Sequence, residues 1–178
     1  RVRAHDSAGN YSNWSVEKNV DTSWNGPTWT RVGGAGFYNY YKLANISDSS
    51  DIYVDEFNLY SSTNAGGTRY PPSAASSSTT PSGYEWGGYG YEGGSGYQVW
   101  KMGDLSTSGA WWTLGNSGTS NNFGYMKLPT SVTCQSCRIV INPYRTVNPL
   151  WLYGSTNGTS WAQIGYFGNL IGDQSSNT

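Results

Sequence analysis

The chain has 178 residues, a formal net charge of −1, 16 % aromatic residues and only 12 % charged ones. That length suffices for one domain of good size. The near-neutral balance gives no basis for a nucleic-acid partner or an anionic-membrane surface, and no run reaches the ~20 apolar residues of a membrane span. Helix-forming residues are scarce, whereas 15 Tyr and 9 Trp stand among 24 Gly and many Ser, Thr and Asn. This is the vocabulary of an all-β sandwich or barrel. The chain opens on Arg1 and shows no signal peptide, so a removed N-terminal part or a longer parent chain is expected.

Residues 1–22 read as two short strands. Val2 and Ala4 alternate with Arg1, Arg3 and His5, Asp6-Ser7-Ala8-Gly9-Asn10 is turn chemistry, and Val16 and Val20 suit the return strand. The run from Val2 to Ser15 resembles the last hairpin of a fibronectin type III domain. A single hairpin is marginal alone, so the remaining strands are expected upstream. Residues 23–36, with Gly26-Pro27 and Gly33-Gly34, read as a link into a new domain.

Phe37 to Leu43 and Ile52 to Tyr60 read as a strand pair around the polar turn Asn45 to Asp51. Strict alternation in the second strand puts Ile52, Val54, Glu56 and Asn58 on one face, and Tyr53, Asp55, Phe57 and Leu59 on the other. Residues 61–98 carry too many aromatics for a disordered linker and read as long Gly/Tyr-rich loops with short strand pieces. Trp111 to Leu114, Tyr125 to Pro129 and Arg138 to Asn142 are further strands, with Ile139 and Ile141 on one face.

Pro149 to Gly165 is a hairpin, in which Leu150, Trp151 and Leu152 face Trp161 and Ile164 across Asn157-Gly158. Asn-Gly predicts a type I′ turn, with φ > 0 at both residues. Asp173 to Thr178 is a polar tail.

Four of these stretches resemble the discoidin, or coagulation-factor type C, family. Gly154-Ser155, Asn157-Gly158 and Trp161 resemble its Gly-Ser-x-(Asn/Asp)-Gly-x-x-Trp signature. Tyr41-Lys42-Leu43 with Glu56 to Tyr60 resembles its aromatic-(Arg/Lys)-Leu and Glu-x-x-x-Tyr strand pair. Val99 to Asp104 followed by Trp111 and Trp112 resembles its (Ala/Val)-x-Asp-Gly-Asp…Trp segment, with Met102 in place of the first Asp. Tyr125 to Pro129 resembles its strand ending in Leu-Pro.

The resemblance implies an antiparallel jelly-roll β-sandwich over residues 37–171. It also implies Trp161 buried between the sheets and a structural Ca²⁺ held by loop carbonyls with Asp104 and Glu56. The physical logic is that Ca²⁺ takes 6–8 oxygens and a loop supplies carbonyls readily. Met102 and the early position of the Glu56 strand depart from the family pattern.

Cys134 and Cys137 form one Cys-x-x-Cys. A zinc site lacks nearby ligands, since the one histidine is His5, and a redox pair wants a helix where these flanks read as strand. The favoured reading is a local disulfide in an oxidising compartment. Sequons at Asn10, Asn13, Asn45 and Asn157 fit a secreted surface, though such short motifs arise readily in a chain of this composition. His5 reads as a surface or turn residue.

No catalytic motif is present, and no spacing selects a pair among the acids, so the chain reads as non-catalytic. Glycan recognition is the sharper expectation, because sugars offer apolar C–H faces and hydroxyl edges to aromatic rings held on loops. The candidates are Trp86, Tyr89 and Tyr91 on the Gly-rich loop, Trp111 and Trp112, and Tyr144-Arg145 between two prolines. The expected partners are glycans or glycoproteins at an extracellular, cell or virion surface. The competing expectation is a structural module of a fibre or viral appendage, whose exposed aromatics pack neighbouring subunits.

Overall fold

The structure, a computed structural model, describes residues 28–31, 36–45, 52–63, 66–89, 98–106, 111–113, 122–141, 146–147, 150–167 and 170–171. The expectations placed on the fibronectin-like hairpin and the C-terminal tail lie outside these residues.

The described elements are, in order, β1 (Thr28–Arg31), β2 (Tyr38–Asn45), β3 (Ile52–Tyr60), β4 (Arg69–Tyr70), β5 (Glu85–Tyr89), a 3-10 helix (Val99–Gly103), β6 (Trp111–Thr113), β7 (Asn122–Val132), β8 (Ser136–Ile141), β9 (Thr146–Val147), β10 (Leu150–Ser155), β11 (Ala162–Phe167) and β12 (Leu170–Ile171). The first sheet runs β1-β8-β3-β4, with β6 also paired to β3. The second runs β11-β10-β2-β7-β5, and β12-β9 forms a small ribbon. All the described pairings are antiparallel. The protein is an all-β sandwich.

Alternation builds the core between the sheets. Tyr41 and Leu43 of β2, Met126 and Leu128 of β7, and Leu150 and Leu152 of β10 are buried. They meet Val54, Phe57 and Leu59 of β3 and Ile139 of β8 in one cluster. Burying each such side chain stabilises by roughly 1.5–3 kcal/mol.

Segment 23–36 is not simply a link. Thr28 to Arg31 pairs in register with Ile139 to Ser136, so β1 completes an edge of the first sheet and the domain begins before residue 37. Strict alternation also fails in β3. The register slips between Val54 and Glu56 against β8, making Asp55 the extra residue of a bulge. A bulge shifts the alternation by one, so Val54 shares the core with Phe57 and Leu59.

Strand β7 continues past the expected Leu-Pro end. Pro129 falls where the β2–β7 register is interrupted, between the Tyr40–Lys127 and Tyr38–Val132 pairs. A missing N–H costs little at such a break.

The final hairpin forms, but not around a type I′ turn. Gly158 has φ 73°, whereas Asn157 is not among the positive-φ residues. The loop is instead held by side chains. Ser155 Oγ accepts the N–H groups of Asn157 and Gly158 at 3.2 and 2.9 Å. Asn157 Oδ1 accepts those of Thr159 and Ser160 at 2.9 and 2.8 Å. Residues 66–89 fold over the sandwich as expected, with Ala75, Tyr84 and Trp86 reaching the core.

Candidate functional site

The second sheet has an aromatic outer face. Tyr40 and Lys42 alternate with buried Tyr41 and Leu43 on β2, so they point away from the core. Cross-strand partners share a face, and the register sets Lys42 between Tyr153 and Tyr125, with Tyr40 opposite Lys127. Gly87 lies opposite Tyr125, and a Cβ there would lie 2.4 Å from the Tyr125 hydroxyl. The missing side chain therefore lets the Tyr125 ring lie across β5.

Polar groups are fixed among these rings. Glu85 accepts a hydrogen bond from the Tyr125 hydroxyl and another from Lys127 Nζ, each at 3.0 Å. The Lys127 bond holds the Glu85 carboxyl below its ordinary pKa. Burial, aided by Glu85, pushes the Tyr125 hydroxyl up to about 12. Tyr40 contacts Tyr125 with ring centroids 6.1 Å apart and Trp161 at 6.3 Å, the latter edge-to-face. Lys42 Nζ stands 4.2 Å from the Trp161 ring, 4.9 Å from Tyr153 and 5.1 Å from Phe123. Trp151 and Tyr166 extend the aromatic surface toward the β11 edge, 5.3 Å apart.

Comparison with protein families, with curated proteins and with solved structures finds no match for this chain. The site is therefore read from its own geometry.

Of the loop candidates, only the Trp86 side chain lies among the described residues. Trp86 is a core residue, 4 % exposed. Tyr89 lies on β5 of the second sheet, while Trp111 and Trp112 pair with Val54 and Tyr53 in the first sheet. The side chains of these three, and all of Tyr91, Tyr144 and Arg145, lie outside the described residues. Among the sequons, Asn157 is exposed on the hairpin loop and Asn45 ends β2. Asn10 and Asn13 fall outside the description.

Loop composition carries no signal of the aromatic sheet face. Its signal is period-two spacing: Tyr40-x-Lys42, Phe123-x-Tyr125-x-Lys127 and Trp151-x-Tyr153 each alternate with buried residues.

Trp161 is a correction of the same kind. It is half-buried on this outer face rather than enclosed between the sheets, because it sits in the loop just before β11 and turns toward Tyr40 and Lys42. Trp161→Ala should therefore cost about 1–2 kcal/mol, the value of an aromatic pair and a cation–π contact, instead of the ~3–5 kcal/mol of a core truncation. A urea titration measures this, and a loss above the upper value of the first range contradicts the surface placement.

Glu56 and Asp104 do not fit the implied Ca²⁺ site. Glu56 Oε2 is held by Arg138 at 2.9 Å and by Asn58 at 3.0 Å, so its charge is already matched. Asp104 Oδ1 accepts the Ser106 N–H at 2.9 Å, and Oδ2 lies 3.8 Å from Lys101 Nζ. Among the described residues no three acids, cysteines or histidines come together to hold a metal.

Cys134 and Cys137 are reduced thiols in the structure, not joined in the expected disulfide. Cys137 is fully buried on β8, and Cys134 is enclosed just before that strand. Both belong to the hydrophobic core and act there as small apolar side chains. Burial pushes the Cys134 thiol up to about 11 and raises that of Cys137 as well. Since only thiolate reacts quickly, the folded protein should react slowly with a disulfide reagent. Both cysteines should label at once when it is unfolded without reductant. No labelling of the unfolded protein would show a bridge instead.

Proposed function

We propose that this chain is a non-catalytic, discoidin-like binding module that recognises glycans at an extracellular or virion surface, through the outer face of the second sheet. One observation carries the reading: half-buried rings from β2, β7, β10 and the loop before β11 form a continuous aromatic surface with fixed polar groups at its side. A sugar ring stacks its C–H face on such rings, while its hydroxyls find Glu85, Lys127 and the Tyr125 hydroxyl. Rings on sheet strands are also held more rigidly than rings on loops, which limits the entropy lost on binding.

The test is binding of the whole chain to an oligosaccharide array, then repeated with Tyr153→Ala/Trp161→Ala. Loss of binding with a retained cooperative melt supports the reading. Failure of the wild-type chain to retain any oligosaccharide overturns it. A structural, fibre-packing role has one observation in its favour: Phe37 and Tyr166 are 64 % and 50 % exposed. Concentration-dependent association in sedimentation, with no sugar bound, would favour that role.

A further inference from the structure

Two lysines occupy the aromatic face, and their circumstances differ. Lys127 is paired with Glu85 at 3.0 Å. Lys42 has no acid partner among the described residues; rings surround its ammonium instead, with Trp161 nearest at 4.2 Å, then Tyr153 and Phe123. Partial desolvation of an ammonium without a carboxylate is unfavourable, and ring quadrupoles recover only part of that energy. Burial accordingly lowers the Lys42 pKa. The arrangement holds a positive charge in a fixed place, at the middle of a stacking surface, with no counter-charge among the described residues.

We propose that Lys42 is an anion-recognition point, and that the glycans taken by this face are acidic, carrying a carboxylate or a sulfate ester on the pyranose. The inference rests on the glycan reading above and sharpens it. A sugar stacked on Trp161 and Tyr153 brings a ring substituent to the ammonium. If that substituent is anionic, the contact becomes a charge-assisted hydrogen bond in a partly dry setting, roughly twice as strong as a neutral one. A neutral sugar would cover Lys42 further and return only a neutral hydroxyl. Glu85, which would repel an acidic ligand, stands on β5, two strands from β2, and Lys127 and Tyr125 already engage it.

The experiment uses the whole chain on an array of neutral and acidic oligosaccharides. The neutral set is cello-, xylo- and galacto-oligosaccharides. The acidic set is oligogalacturonides and hyaluronan, which carry carboxylates, and chondroitin sulfate, which adds sulfate esters. Binders are then titrated against wild type, Lys42→Met and Lys42→Arg, each with its melting temperature. The expected result is retention of acidic oligosaccharides, a loss of at least tenfold in affinity with Lys42→Met, and recovery of most of it with Lys42→Arg. Lys42→Gln replaces the methionine variant if that one does not fold. The carboxylate and sulfate arms identify which anion is read.

Retention of neutral oligosaccharides alone, or acidic binding unchanged in Lys42→Met, overturns this inference and leaves the glycan reading standing. No retention of either set overturns both.

Discussion

Trp86→Ala should cost about 3–5 kcal/mol of folding stability, as a buried ring truncated to a methyl. The side chain runs from β5 into the core and packs on the 3-10 helix Val99–Gly103. A Cβ built on Gly103 would lie 2.2 Å from the Trp86 ring, so the ring occupies the space that a side chain at residue 103 would need. Its Nε1 donates to the Thr80 carbonyl at 2.8 Å, and its backbone N–H donates to the Ser78 carbonyl at 2.7 Å. One residue therefore ties the chain around 75–80, the edge strand β5 and the short helix to a single core.

Truncation removes the apolar burial, leaves a cavity beneath the helix and strips the Thr80 carbonyl of its donor. Gly103→Ala should destabilise from the opposite direction, by about 1–3 kcal/mol, through overpacking against the same ring. Chemical denaturation of both variants is the measurement. A Trp86→Ala protein that unfolds like wild type but no longer binds sugar would return Trp86 to the ligand-binding surface and contradict its place in the core.

Trp86 and Trp161 show which parts of this protein could be read from sequence. Strand existence was legible wherever apolar and polar residues alternate, and Ile52 to Tyr60 was placed correctly end to end. The direction of individual aromatic rings was not. Trp86 follows Glu85 and precedes Gly87-Gly88, a context that resembles an exposed loop; only pairing of β5 with β7 turns its side chain inward. Trp161 follows the Asn157-Gly158 turn, where the sequence resemblance implied a core residue, yet it turns outward to Tyr40 and Lys42.

A bulge explains the misread facing of β3. The extra residue at Asp55 cannot be inferred from residue identities, because the period-two pattern of β3 continues through it in sequence while the facing shifts in space. The sheet-face site became visible only when β2, β7 and β10 were set side by side, since no single strand carries more than a few of its residues.

The same bulge underlies the last expectation, that lowering the pH from 8 to 5.5 stabilises the protein and that Asp55→Asn removes much of this dependence. Asp55 is 2 % exposed, and its Oδ2 has no hydrogen-bond partner among the described residues. Burial is the main cause that raises its carboxyl from 3.8 to about 7, and the neighbouring Glu56 and Asp104 add to it. The folded chain thus holds this proton more tightly than the unfolded chain. Its stabilising contribution is complete below the unfolded value near 3.8 and is lost as pH rises through about 7. A change of this size corresponds to at most about 4 kcal/mol between the two limits.

Asparagine keeps the shape and carries no charge at any pH, so Asp55→Asn should be more stable than wild type at pH 8 and should converge with it near pH 5. A histidine side chain can also change charge in this pH range. The readout is therefore the difference between variant and wild type in urea titrations at each pH, where the histidine cancels. A variant that is less stable than wild type at pH 8, or a difference that does not change with pH, would mean that Asp55 is charged and satisfied in the folded protein. The bulge would then be holding a carboxylate partner for a cation or a donor, rather than a buried acid.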